Sequence, residues 1–219
     1  MARLQEERSA DTRRRLLDAT VVCLSELGYT RTTTTEIADR AGVSRGAQLH
    51  HFPRKFELVA TAVRHLFELR LADLKGIVGK LPASLDARLD SLIDLLWPAF
   101  KGPTFYAWLE LVVASRTDPL LRDAAHEIGR WFGDGVQDAF AELFPSIPSA
   151  NVASVTRLIF GRLEALALER TLRVAADAPD PEDFQQDLAI LKMAANACLH
   201  AGPHPTTPAI QAQSEQIRG

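Results

Sequence analysis

The 219-residue chain reads as an all-α protein of about nine helices. Three observations predict this. Apolar residues recur at helical spacing along most of the length. No convincing alternation of apolar and polar residues marks a half-buried strand, and no Asn-Gly or Asp-Gly hairpin joins two such runs. The pairs Asp118-Pro119 and Asp180-Pro181 are each a capping residue followed by a proline at the first helical position, a device that opens helices.

The first helix is expected from about Asp11 to Leu27, with Leu17, Val21 and Leu24 in one stripe and Leu16, Cys23 and Leu27 widening it. Gly28 suits a left-handed stop. Thr32 to Thr35 are poor interior residues but good capping material. Thr33 and Glu36 have capping-box spacing, so a short helix is predicted from Thr34 to about Ala41, broken by Gly42. Ser44 caps a third helix, about Arg45 to His51. After Pro53 a long helix runs from Arg54 to about Gly79. Five more follow: about Ser84 to Phe100, Thr104 to Arg116, Pro119 to Phe144, Ala150 to Val174, and Pro181 to about His200. The prolines at 203, 205 and 208 and the scarcity of large apolar groups read 201–219 as a flexible tail.

The composition, 47% hydrophobic and 24% charged, excludes disordered and fibrous classes. No apolar run approaches the ~18 residues of a membrane span, and the charged N-terminus lacks the apolar core of a signal peptide. A cytoplasmic protein with no membrane partner is expected. The net charge of −3 argues against nucleic acid, but the distribution argues for it. Residues 1–60 hold ten Lys/Arg against eight Asp/Glu, whereas the rest holds fifteen against twenty. Basic charge thus gathers at the end that would meet phosphates. Cys23 and Cys198 stand far apart with no Cys/His cluster, which excludes a zinc site. They read as small buried hydrophobes, with a redox switch as the alternative.

The segment from Thr32 to Leu58, TTTTEIADRAGVSRGAQLHHFPRKFEL, has helix-turn-helix dimensions. Ile37, Ala38, Ala41 and Val43 can pack the two helices, and Gly42 tolerates the positive φ of a sharp turn. Geometry alone leaves an ordinary helical corner as the alternative. The residues go further. Ile37-Ala38, Ala41-Gly42-Val43-Ser44, Gly46, His51-Phe52 and Lys55, preceded by Leu16-Leu17-Asp18-Ala19 and Gly28-Tyr29, resemble the TetR-family DNA-binding motif over residues 12–58. The resemblance implies a transcriptional regulator with a three-helix reading head at 1–58 and a helical ligand-binding and dimerisation domain at 59–200.

Helix-in-groove chemistry then assigns roles. Arg45, at the start of the recognition helix, faces guanine O6 and N7, and Gln48 one turn on can pair with adenine. Gly46 and the small Ala47 permit close approach. Thr33, Thr34 and Ser44 sit at helix starts, and His50, His51 and Lys55 are expected at phosphates. The resembled family usually has tyrosine where this chain has Leu49. Leu49 either makes an apolar contact, or Gln48 and His50 take over part of the phosphate role. His50-His51 is not a metal or catalytic pair, since neighbours on a helix point apart and no carboxylate or Cys stands at ligand spacing.

The two C-terminal helices carry apolar stripes, and the resemblance implies that they form a four-helix bundle across a homodimer. Part of each stripe must also serve the protomer's own core. Trp97, Phe100, Phe105, Tyr106, Trp108, Trp131 and Phe132 are candidate walls for a small-molecule effector, or else core. Glu110, His126, Arg130, Arg157 and Glu164 are its candidate polar members. No nucleophile–base pair, phosphate loop or cofactor motif points to an enzyme. The expected partners are double-stranded DNA at a palindromic operator, a second copy of the chain, and a mostly apolar ligand that releases a repressor. An activator, or a ligand-independent regulator of the same fold, is the alternative.

Overall fold

A computed structural model describes residues 2–77, 80–173 and 178–201. Among these, nine helices form and no strand: α1 (Ala2–Arg31), α2 (Thr34–Ala41), α3 (Arg45–His51), α4 (Lys55–Gly76), α5 (Leu85–Phe100), α6 (Pro103–Ser115), α7 (Pro119–Leu143), α8 (Ser149–Arg173) and α9 (Glu182–His200). Apart from Ala201, the segment expected as a tail lies outside the described residues.

The predicted helices are present, and α1 differs most from expectation. It starts nine residues earlier, because exposed Glu, Arg and Gln are good helix formers. It also does not end at Leu27. Gly28 takes φ 73°, ψ 167° inside it, and one more turn follows, closed by bonds from the Thr32 N–H and hydroxyl to the Gly28 carbonyl. The glycine kinks the helix where it was expected to stop it.

In the head, Leu16, Leu17, Cys23 and Ile37 are buried against Phe52, with Leu58 and Ala62 of α4 completing the cluster. Burial pushes the Cys23 thiol above its ordinary pKa, the chemistry of a packed thiol. The α2–α3 turn is fixed by Gly42 at φ 60°, ψ 39°. A Cβ there would lie 2.7 Å from an Arg15 guanidinium nitrogen. That guanidinium donates to the Gly42 carbonyl at 2.9 Å and to the Ala41 carbonyl. Glycine is required both for the backbone conformation and for this strut.

A second cluster joins head to body: Leu24 of α1, Val59, Val63 and Phe67 of α4, and Leu111 and Leu121 of α6 and α7. The largest core lies in the body, among α4, α5, α7, α8 and α9. Leu166 and Leu188 belong to it, exposed by only 0% and 4%. Another stripe of α8, formed by Gly161, Ala165, Leu168 and Leu172, is exposed, as are Ile190 and Met193 of α9. The sequence pattern could not divide inward from outward leucines here.

Asp118 caps α7, accepting from Leu120 N–H at 3.0 Å. Asp180 does not cap α9. Its carboxylate instead takes Arg170 Nε at 2.7 Å, Lys101 Nζ at 2.7 Å and Trp97 Nε1 at 2.8 Å, tying α5 to α8. The two cations outcompete a helix end for a nearly buried carboxylate.

Candidate nucleic-acid interface and ligand cavity

Thr33 Oγ1 accepts from the Glu36 N–H at 3.1 Å and so sets the start of α2. The Glu36 carboxylate turns to Arg40, which also pairs with Glu26. Ser44 Oγ accepts from the Ala47 N–H at 3.2 Å and starts α3. Packing of Phe52 and Ile37 then fixes how α3 is rotated. Its outward face consists of Arg45, Gly46, Leu49 and His50; Ala47 and His51 are half-buried.

Gln48 does not join that face. It is 0% exposed, and its amide donates to the Phe52 carbonyl at 2.7 Å, closing the C-terminal end of α3. The expected pairing with adenine is therefore corrected: Gln48 is a structural residue. Lys55 is corrected as well. Its ammonium donates to the Tyr29 carbonyl at 2.5 Å and sits 3.9 Å from the Tyr29 ring centroid. Burial lowers its pKa, and the charge faces inward rather than toward a phosphate. His51 contacts the rings of His50 and Phe52. Burial, and then the neighbouring His50 and Arg13, hold its pKa below the usual histidine value. Thr33 is exposed and Thr34 half-buried. Arg15, the strut of the turn, was missed, since nothing in Arg13-Arg14-Arg15 separates it from its neighbours. Among the described residues, no group of three or more His, Cys, Asp or Glu could hold a metal ion.

The body contains a cavity of about 480 Å³, within the range of small-molecule sites. Of the expected walls, Phe100, Phe105, Trp108 and Phe132 line it. Trp97 is committed to Asp180, and the Tyr106 hydroxyl meets Thr171 Oγ1 at 3.2 Å. Glu110 accepts from the Tyr29 backbone N–H, and Trp131 lies under the Arg64 guanidinium, 4.9 Å away. These four are corrections. So are His126 and Arg130, which are exposed and away from the cavity.

Sequence reasoning missed Phe67, stacked on Phe132 at 4.1 Å and near Trp108 at 5.3 Å, and it missed Phe160, 5.6 Å from Phe100. Phe67 lies on α4, outside the aromatic-rich stretch 97–132. Arg157 and Glu164 of α8 do line the cavity, as do Arg70 and Thr104, which bond one another at 3.3 Å. Burial raises the Glu164 pKa. The cavity is thus apolar and aromatic, with a few charged groups at its wall.

A helix-turn-helix head with an outward arginine, mounted on a helical body that holds a cavity, defines the class of DNA-binding regulators. Residues 16–62 match the family model described as bacterial regulatory proteins, tetR family. The HTH-type transcriptional regulator CymR of Pseudomonas putida is 35% identical over 168 residues, covering 76% of this chain and 82% of CymR. A TetR-family regulator from Mesorhizobium loti has a similar fold, with TM-score 0.70 and 17% identity, covering 87% of this chain and 97% of that one. FadR from Bacillus subtilis, solved with stearoyl-CoA, matches with TM-score 0.61 and 18% identity, covering 85% and 97%. The chain belongs to the TetR family of bacterial transcriptional regulators, a family of regulators and not of enzymes. Among the described residues, no helix is long and apolar enough to cross a membrane.

Proposed function

We propose that the chain is a cytoplasmic, homodimeric repressor that leaves a palindromic operator when an apolar small molecule fills its cavity. The observation that carries this reading is α4. The helix starts at Lys55 beside the head, buries Leu58 in the head's core, and presents Phe67, Leu71 and Leu74 to the cavity. One rigid element therefore touches both sites. A ligand that favours a different tilt of α4 changes the spacing of the two heads, and half-sites about 34 Å apart, or a multiple of that, are no longer met together.

The head, residues 1–58, reads DNA through Arg45, with Gly46 allowing close approach and Thr33, Thr34, Ser44 and His50 toward the backbone. Residues 59–200 sense and dimerise. The exposed stripe Gly161, Ala165, Leu168 and Leu172, with Ile190 and Met193, supplies a self-complementary apolar surface of the kind a two-fold interface needs. The bound stearoyl-CoA of the FadR structure supports a ligand-taking body in this fold. The test is selection of duplexes from a random pool by the full-length protein. Enrichment of a two-fold symmetric site supports the reading, and an asymmetric site or no enrichment refutes it.

A further inference from the structure

Helix α7 carries three glycines, Gly129, Gly133 and Gly135, and a glycine inside a helix costs stability relative to alanine. Packing accounts for two of them. A Cβ at Gly135 would lie 2.7 Å from Leu71 Cδ1, so the approach of α4 needs bare backbone there. A Cβ at Gly129 would lie 3.3 Å from the Trp108 ring, which rests against α7 at that point. At Gly133 a Cβ would meet nothing within 4 Å, yet the residue lines the cavity. Gly133 is exposed, and its neighbours fix which way it faces. Gly129, Phe132, Val136 and Gln137 line the cavity as well. At about 100° per residue, Gly133 falls between Val136 and Gln137 within that arc, so the side it leaves bare is turned to the cavity.

Gly129 shows what such a surface accepts. There the protein's own Trp108 lays the edge of a flat ring on helix backbone, with two ring carbons at 3.3 and 3.7 Å from the Cβ position. Gly133 repeats the surface one turn on, on the same face. Aromatic faces surround this part of α7: Phe67 lies 4.1 Å from Phe132 and 5.3 Å from Trp108 between ring centroids. A flat ring packs at about 3.5–4.0 Å from the atoms beneath it, the clearance that omission of a Cβ supplies. A puckered ring is thicker and cannot come as close with all its carbons.

We infer that Gly133 is a specificity-determining residue of the cavity, and that it selects ligands with a planar aromatic ring, which lies on the α7 backbone beside Trp108. This rests on the ligand-binding reading of the cavity given above. The experiment uses the full-length protein and two probes with one carbon skeleton: 2-naphthol, which is planar, and decahydro-2-naphthol, which is puckered. Isothermal titration calorimetry measures both against the native protein, Gly133→Ala, and the control Asp134→Ala, an exposed α7 position that does not line the cavity. The native protein is expected to prefer the planar probe about fivefold, the effect of aromatic packing beyond area alone. In Gly133→Ala a methyl group stands where the ring lies, and the planar probe is expected to weaken about fivefold or more, which leaves no preference for it. Asp134→Ala is expected to keep both affinities within about twofold of native. Gly133→Ala should melt above the native protein, because alanine favours helix and meets no clash, so its loss of binding is not loss of fold. A native protein that binds 2-naphthol no better than decahydro-2-naphthol, or not at all, overturns the inference, as does a Gly133→Ala protein that keeps the preference. The readout is binding alone. A planar compound that depends on Gly133 yet leaves operator affinity unchanged counts against ligand release and upholds this site, so the two failures are distinguishable.

Discussion

The Tyr29 backbone N–H donates to Glu110 Oε2 at 2.6 Å, joining the end of α1 to the middle of α6. The Gly28 kink makes this possible: a Cβ at Gly28 would lie 3.1 Å from the same carboxylate oxygen. Lys55 of α4 grips the Tyr29 carbonyl and ring from another side. One residue of the head is thus held by both helices that continue to the cavity, where Trp108 lies two residues from Glu110.

Removing the acceptor should therefore loosen the head. Glu110→Ala is expected to cost about 1–3 kcal/mol, the penalty for leaving a part-buried donor unsatisfied. The check is thermal unfolding together with hydrogen exchange at Tyr29, whose amide should lose protection before the amides of α8 do.

Arg45 and Gln48 should separate base reading from folding. Arg45→Ala is expected to cost about 1–3 kcal/mol in operator binding and to relax preference at one base position per half-site, with the melting temperature unchanged. Gln48→Ala should lower the melting temperature, because it loses the Phe52 tie and leaves a void. Any loss of affinity it shows should be uniform across sequences. Paired binding and melting measurements on both variants decide this.

The exposed and buried leucines of the last two helices predict opposite phenotypes. Leu172→Glu or Met193→Glu should give a folded monomer by light scattering. Leu166→Ala, fully buried, should cost about 2–5 kcal/mol of stability without a selective change in assembly.

Asp180 predicts an acid limb of stability. Burial alone would raise its pKa, but bonds from Lys101, Arg170 and Trp97 outweigh that and hold it below the ordinary carboxylate value. A depressed folded pKa contributes stability that is full above the unfolded value, about 3.9, and is lost as pH falls through the folded value. The native protein should lose stability below about pH 4 more steeply than Asp180→Asn. At neutral pH, Asp180→Ala should cost about 3–5 kcal/mol, because it removes the carboxylate beside the buried Arg170. Chemical denaturation across this pH range tests both.

The helices and the reading head were legible because their signals are local. Thr33, Ser44, Asp118 and Gly42 act on backbone within a few residues, and their caps and turn appear as read, except that Glu36 pairs with Arg40 instead of completing a capping box with Thr33. Facing was legible only where one stripe exists. Gln48 looks like a base reader by spacing, but α3 is rotated by Phe52 and Ile37 packing in from its neighbours. Lys55 is charged and next to the head, yet Tyr29 arrives from 26 residues away to take it. Trp97, Tyr106 and Trp131 shared a helical pattern with the cavity aromatics, and only the packing of several helices decides which faces meet around an empty space. Asp180 looked like the cap that Asp118 is, until Arg170 and Lys101 came within reach.

Coupling between cavity and operator is tested by operator affinity measured with and without a cavity ligand. The ligand would come from a thermal-shift screen of apolar compounds, retained only if Trp108→Ala or Phe67→Ala weakens its binding. Anisotropy titrations of the selected duplex then give the two affinities. The compound is expected to weaken operator binding, and the operator to weaken compound binding by the same factor. A compound that fills the cavity at saturation and leaves operator affinity unchanged would contradict this coupling.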